Sequence, residues 1–174
     1  MKEQSYRTMS EAVASSPFMK SYIVWFNRIV TTVIYMVYPA LLIMLYLQRE
    51  TIPFSRGLIP AILIPGISFV LLSIFRHFVN SPRPYEVFDL TPIIDKKTAG
   101  HSFPSRHIFS VFIIATTCFY YYPLVGVLIG LTGAALALNR VLGGVHFIKD
   151  VVAGALIGIG CGVVGFYIIL PLFL

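Results

Sequence analysis

The chain has 174 residues, 57% of them hydrophobic and only 11% charged, with a mean hydropathy of +0.85. Soluble domains carry about 25% charged residues, so this composition excludes a soluble globular protein and points to one that lives in a membrane. The formal net charge is +6, from 13 Lys and Arg against 7 Asp and Glu. Interfacial anchoring accounts for part of that excess. The rest gathers near residues 76–106 and 140–149, which favours an anionic substrate and leaves no soluble basic face for nucleic acid.

Residues 1–20 are polar to amphipathic, with Lys2, Arg7 and Lys20, and read as a segment outside the membrane or along its surface; no removable signal peptide is recognisable. A first span is expected from Tyr22 to Leu47, taking about 20 apolar residues per crossing, with Asn27 and Arg28 near its start. A second, from Gly57 to Phe75, carries Pro60 and Pro65, kinks that packed membrane helices tolerate. Residues 76–106 are rich in Pro, Arg, Lys and Asp and read as an extramembrane loop. A third span starts near His107 and ends at Tyr120-Tyr121-Tyr122-Pro123, an aromatic belt with a turn. The fourth runs from Leu124 to Leu138 and the fifth from Val151 to Leu170, the last with Gly154, Gly158 and Gly162 as a small-residue packing stripe. Cys118 and Cys161 each sit in an apolar run and read as buried thiols. The reading is one all-α membrane domain over 1–174, a polytopic helical bundle of about five to six transmembrane helices.

The polar stretch Asn139–Asp150 interrupts this apolar background. An Arg, Lys or Asp at a span centre costs roughly 2.5–3.5 kcal/mol, so such residues mark a site. His146 and Asp150 are four apart and share a helix face, where the carboxylate can hold the imidazole. Arg140 precedes them across Gly143-Gly144, a pair that lets backbone approach a ligand. An oriented His beside a fixed cation suggests attack on a phosphate. With five spans, parity puts 76–106 and 139–150 on the same membrane face. The first of these contains Arg76-His77-Phe78-Val79-Asn80-Ser81-Pro82-Arg83-Pro84 and ends in Pro104-Ser105-Arg106-His107, where Ser105 is placed to cap a helix whose N-terminus favours anions.

In that order and at those spacings the three segments resemble the type 2 phosphatidic acid phosphatases, which share their site with vanadium haloperoxidases. Arg76, Arg83 and Pro84 match the family's first motif, Pro104, Ser105 and His107 its second, and Arg140, His146 and Asp150 its third. The resemblance covers roughly residues 57–170 and implies a metal-free, cofactor-free hydrolase acting on a lipid phosphate or pyrophosphate. It implies that His146 is a nucleophile forming a phosphohistidine and that Asp150 fixes its tautomer. It makes His107 the acid and then the base, with Arg76, Arg83, Arg140 and Ser105 on the phosphoryl oxygens.

Two positions depart from the pattern. Arg106 stands where the family has Gly, and either blocks close approach of backbone to phosphate or adds a cation suited to a pyrophosphate. Asn139 stands in a Ser slot and keeps a polar side chain. His77, His101 and Lys149 read as plain interfacial residues, Lys96 and Lys97 as lipid head-group contacts, and Tyr85, Glu86 and Asp89 as a solvated turn. The basic N-terminus argues by the positive-inside rule for a cytoplasmic site, whereas the resemblance implies an outward-facing one, which is the reading adopted. Undecaprenyl pyrophosphate is the first substrate expectation and phosphatidate or phosphatidylglycerol phosphate the second. A lipid phosphotransferase and a non-catalytic lipid binder or transporter are the alternatives from other classes. Membrane lipids are the partners expected, and the sequence does not give the oligomeric state.

Overall fold

The computed structural model describes residues 3–94 and 99–174, and is helical throughout with no strand among them. Helix α1 (Glu3–Ala14) is followed by α2 (Pro17–Leu47), α3 (Leu58–Val79), a single turn α4 (Pro84–Val87), α5 (Arg106–Tyr121), α6 (Pro123–Leu142) and α7 (Ile148–Val163). The chain then continues through a π-helical stretch, Val164–Ile169, and a 3-10 turn, Leu170–Phe173. Lys2, Lys96 and Lys97 lie outside the described residues.

Four stretches are long and apolar enough to cross a membrane: Pro17–Leu47, Leu58–Val87, Pro123–Leu142 and Ile148–Phe173. Their outward faces carry large apolar side chains such as Trp25, Leu71, Leu131 and Leu156, all well exposed, as lipid-facing surfaces do. The third expected span, α5, is different. At 16 residues it measures about 24 Å, short of a hydrocarbon core of about 30 Å. Nearly every residue from Ile108 to Cys118 is buried, because α5 is the axial helix around which α3, α6 and α7 pack. A helix buried all round needs no amphipathic pattern.

The stripe Gly154, Gly158, Gly162 is what brings α7 against α5. A Cβ on Gly154 would stand 2.6 Å from the Ser105 carbonyl oxygen, and one on Gly158 2.7 Å from that of Phe109. At the other end Tyr121 donates to the Arg56 and Gly57 carbonyls, and Tyr122 to Gln48, tying α5 to the ends of α2 and α3.

Several boundaries differ from the sequence expectation, among them the end of α6, which runs to Leu142 rather than Leu138 and so carries Arg140. Helix α2 begins at Pro17 rather than Tyr22, since Ser16 caps it by accepting from the Met19 amide and Pro17 fills a position that needs no N–H. Helix α3 runs to Val79 and ends on Asn80 in the left-handed region (φ 37°), so Arg76 and His77 sit on its last turn and not on a loop.

Candidate active site

The polar segments converge at one end of the bundle, where α3 ends and α5 and α7 begin. There a cavity of about 270 Å³ is lined by Arg76, Arg83, His101, Arg106, His107 and His146, among others. It gathers five of the sequence-expected residues from four separate segments.

His146 is 1% exposed. Its Nδ1 lies 3.6 Å from Asp150 Oδ2, and Ser102 Oγ sits 3.4 Å from the same nitrogen. Ser102 also donates to Asp150 Oδ2, which accepts in addition from the Phe147 amide at 2.9 Å. The carboxylate is thus fixed at the first turn of α7 and the imidazole is held through Nδ1, which leaves Nε2 for the cavity. Burial lowers the His146 pKa to about 4; its contact with Asp150 opposes that shift and the Arg83 and Arg140 charges add to it. The ring is therefore neutral at physiological pH, the form in which a nitrogen lone pair can attack.

The two arginines of the first motif are oriented by neutral acceptors. Arg76 donates to the carbonyl oxygens of Pro104 and His101. Arg83 donates to Gly100 O at 3.0 Å and Val145 O at 3.1 Å. Carbonyls position a guanidinium without cancelling its charge, so both remain cations available to an anion. Arg106, at the first position of α5, lies 5.7 Å over the Phe69 ring and lines the same cavity. Its guanidinium is thus one of the cations around this cavity.

Ser105 and Arg140 are buried at 0% and 3% exposure. Ser105 Oγ and Arg140 Nε have no hydrogen-bond partner among the described residues. The expected cap at Ser105 is absent: its backbone N–H is taken by the Asp150 carbonyl at 2.8 Å, and its hydroxyl caps nothing. Buried orphan donors are costly, and neither residue is among those lining the cavity around His146. Arg140 lines a second cavity, reached on the other side of His107.

Several readings need correction. His101 is no plain interfacial residue: its carbonyl receives Arg76 and Arg83, its Nδ1 lies 3.0 Å from Arg76 O, and its ring stacks on His77, both lining the cavity. Glu86 is exposed, as a solvated turn residue is, but it also shapes the loop beside the site. It accepts from the Arg83 amide at 2.7 Å and the Gly100 amide at 3.0 Å, pinning the loop that carries Arg83; Pro84 followed by Glu86 is a helix-start pattern that signalled it. Gly143 makes room for the Ile94 side chain, and its carbonyl receives the Ile93 and Ile94 amides, so the glycine pair serves loop packing and not ligand approach. Asn139 donates to Ile23 O at 3.1 Å, a buried tie between α6 and α2. Tyr6 of α1 reaches under the site, its hydroxyl donating to the Val141 and His146 carbonyls. Neither Ser102 nor Tyr6 carried a sequence signal.

Known proteins resemble this chain in sequence and in fold. A family model described as the PAP2 superfamily matches residues 57–173. The chain is 32% identical over 97 residues to the bacitracin transport permease protein BcrC of Bacillus licheniformis, and 31% identical over 93 residues to an undecaprenyl-diphosphatase of Sulfolobus acidocaldarius. Each alignment takes in 53% of this chain and covers 48% and 45% of those proteins, so the chain spans about half the length of the curated relatives it matches. Among solved structures, Aquifex aeolicus LpxE superposes with a TM-score of 0.71 at 28% identity, covering 94% of this chain and 93% of that one. The PAP2-type phosphatidylglycerolphosphate phosphatase of Bacillus subtilis shares the fold, with a TM-score of 0.68 at 20% identity over 98% and 84% of the two chains. Motif, bundle and family model coincide, and the chain belongs to the PAP2 superfamily.

Proposed function

We propose that the protein is an integral membrane phosphatase that hydrolyses a lipid phosphate or diphosphate through a phosphohistidine, without a metal. The observation that carries this is the buried, neutral His146, held through Nδ1 by Asp150 and Ser102 and opening on a cavity ringed by Arg76, Arg83 and Arg106.

The reaction runs in two displacements. The Nε2 lone pair of His146 attacks phosphorus, the bond to the leaving oxygen breaks, and His107 supplies the proton that oxygen takes. Arg76, Arg83 and Arg140, with the Ser105 hydroxyl, receive the charge that grows on the three phosphoryl oxygens. Guanidinium groups thus provide the neutralisation that a divalent ion provides elsewhere. Water then attacks the phosphohistidine and gives its proton to His107; the P–N bond breaks, releasing inorganic phosphate and neutral His146. Asp150 stabilises the ring while it carries positive charge.

A cavity at the end of an apolar bundle fits a substrate whose tail lies in the bilayer and whose phosphate sits at head-group level. Undecaprenyl pyrophosphate is our first choice, supported by the likeness to the Sulfolobus undecaprenyl-diphosphatase. We place the site on the extracytoplasmic face, as the family resemblance implies. Two basic residues that argue for the opposite orientation have other roles: Arg7 pairs with Glu3 and donates to Phe88 O, and Arg28 lines a cavity beside His107. The test is phosphate release in detergent with chelator present, offering undecaprenyl pyrophosphate and phosphatidate side by side, with His146→Ala as control. Release that survives in the variant refutes the assignment.

A further inference from the structure

Beyond His107, away from His146, lies the second cavity, about 380 Å³, between α2 and the α5–α6 wall. His107 lines both cavities. The α2 side contributes Asn27, Arg28 and Thr31, one helical turn of polar residues in a helix otherwise apolar enough to cross a membrane. Asn27 Oδ1 and Thr31 Oγ1 are buried without a hydrogen-bond partner among the described residues, and so is Arg140 Nε on the facing wall. The three residues line one space within an apolar bundle, where orphan polar atoms are expensive unless something polar satisfies them. An amide turns over at little cost to present Nδ2 in place of Oδ1, so Asn27 and Thr31 both supply donors to an anion, with Arg28 as the cation.

We infer that the Asn27–Arg28–Thr31 face of α2 is the leaving-group subsite and that the group it receives is itself a phosphate, which makes the preferred substrate a lipid diphosphate. The inference rests on the phosphohistidine reading above. The terminal phosphoryl passes to His146, the bridging oxygen leaves with the P–O electron pair and takes the His107 proton, and the tail-bearing phosphate remains against α2. The position of His107 between the cavities suits this, since the leaving oxygen must lie between the two phosphates.

The test compares a prenyl diphosphate with the prenyl monophosphate of the same tail, so that only the second phosphate differs. Initial kcat/KM for phosphate release is measured for the wild type, Arg28→Gln and the near-isosteric Thr31→Val. The expected result is a wild-type preference for the diphosphate that falls roughly tenfold or more in Arg28→Gln, the scale of one charge-assisted contact, and a few-fold in Thr31→Val. Turnover of the monophosphate reports whether each variant is folded. An unchanged diphosphate-to-monophosphate ratio in both variants overturns the subsite while leaving the phosphohistidine reading intact. Wild-type-like release by His146→Ala overturns that reading, and the subsite with it.

Discussion

Replacing Gly154 with Ala tests whether helix packing sets the chemistry. The new Cβ would lie 2.6 Å from Ser105 O, and because that neighbour is backbone it cannot swing aside. Ordinary contact begins at 3.4 Å, so α7 must retreat from α5 by about 0.8 Å. The hydrogen bond from Ser105 N to Asp150 O, now 2.8 Å, then opens to about 3.6 Å and is lost. Overpacking costs about 1–3 kcal/mol and the hydrogen bond about 1, while Ala regains about 1 through helix propensity, for a net loss of about 1–3 kcal/mol. In a chain of this length that lowers Tm by roughly 3–10 °C. The same displacement separates Ser105 on α5 from His146 and Asp150 at the start of α7, and misplacement on that scale costs up to about a hundredfold in rate. Gly160 lies on the same helix with nothing within 4 Å of its would-be Cβ, so Gly160→Ala should keep or slightly raise Tm and leave activity within about twofold. Thermal melting in detergent and kcat/KM for phosphate release read both effects. Indistinguishable variants would refute the reasoning.

Three further outcomes follow. The folded-state pKa of His146, about 4, lies below the value of about 6.5 for an unperturbed ring, so its contribution to stability is full above about pH 6.5 and is lost as pH falls through 4. Tm of the wild type should therefore fall faster over that window than Tm of His146→Ala, and parallel curves would contradict a buried neutral ring. Ser102→Ala removes a donor from the buried Asp150 carboxylate and should lower kcat by about 10-fold or more with KM little changed; an unchanged kcat would mean Ser102 has no part in holding the His–Asp pair. Arg106→Gly, on the α3 side of the cavity, should lower turnover of monophosphate and diphosphate by similar factors; a loss confined to the diphosphate would place the second phosphate against α3 and overturn the α2 assignment.

The parts of this molecule that were legible in the sequence are those where chemistry or solvent leaves a one-dimensional trace. Apolar runs gave the helices, because a membrane asks only for length and hydrophobicity. The Arg–Arg-Pro, Ser-x-His and Arg–His–Asp spacings named residues of which Arg76, Arg83, His107 and His146 line one cavity, because those groups sit at or beside helix ends. What stayed hidden depends on three-dimensional juxtaposition. Ser102 reaches Asp150 across 48 residues and Tyr6 reaches His146 across 140, and neither carries any local pattern. The hydroxyl of Ser105 reads as a helix cap at its position in the chain, and only the fold shows it buried with no partner among the described residues. Asn27 and Arg28 read only as polar residues near the start of a span until the fold sets them, with Thr31, on the cavity that Arg140 and His107 also line.

The central claim is most directly tested by trapping the intermediate. The detergent-solubilised protein would be mixed with lipid substrate labelled in its terminal phosphate, with chelator present, and quenched in base within one turnover. The account predicts base-stable, acid-labile label on His146, absent from His146→Ala and discharged as inorganic phosphate on further incubation. Turnover with no label on His146, or turnover that stops with chelator and returns with a divalent metal, would contradict it.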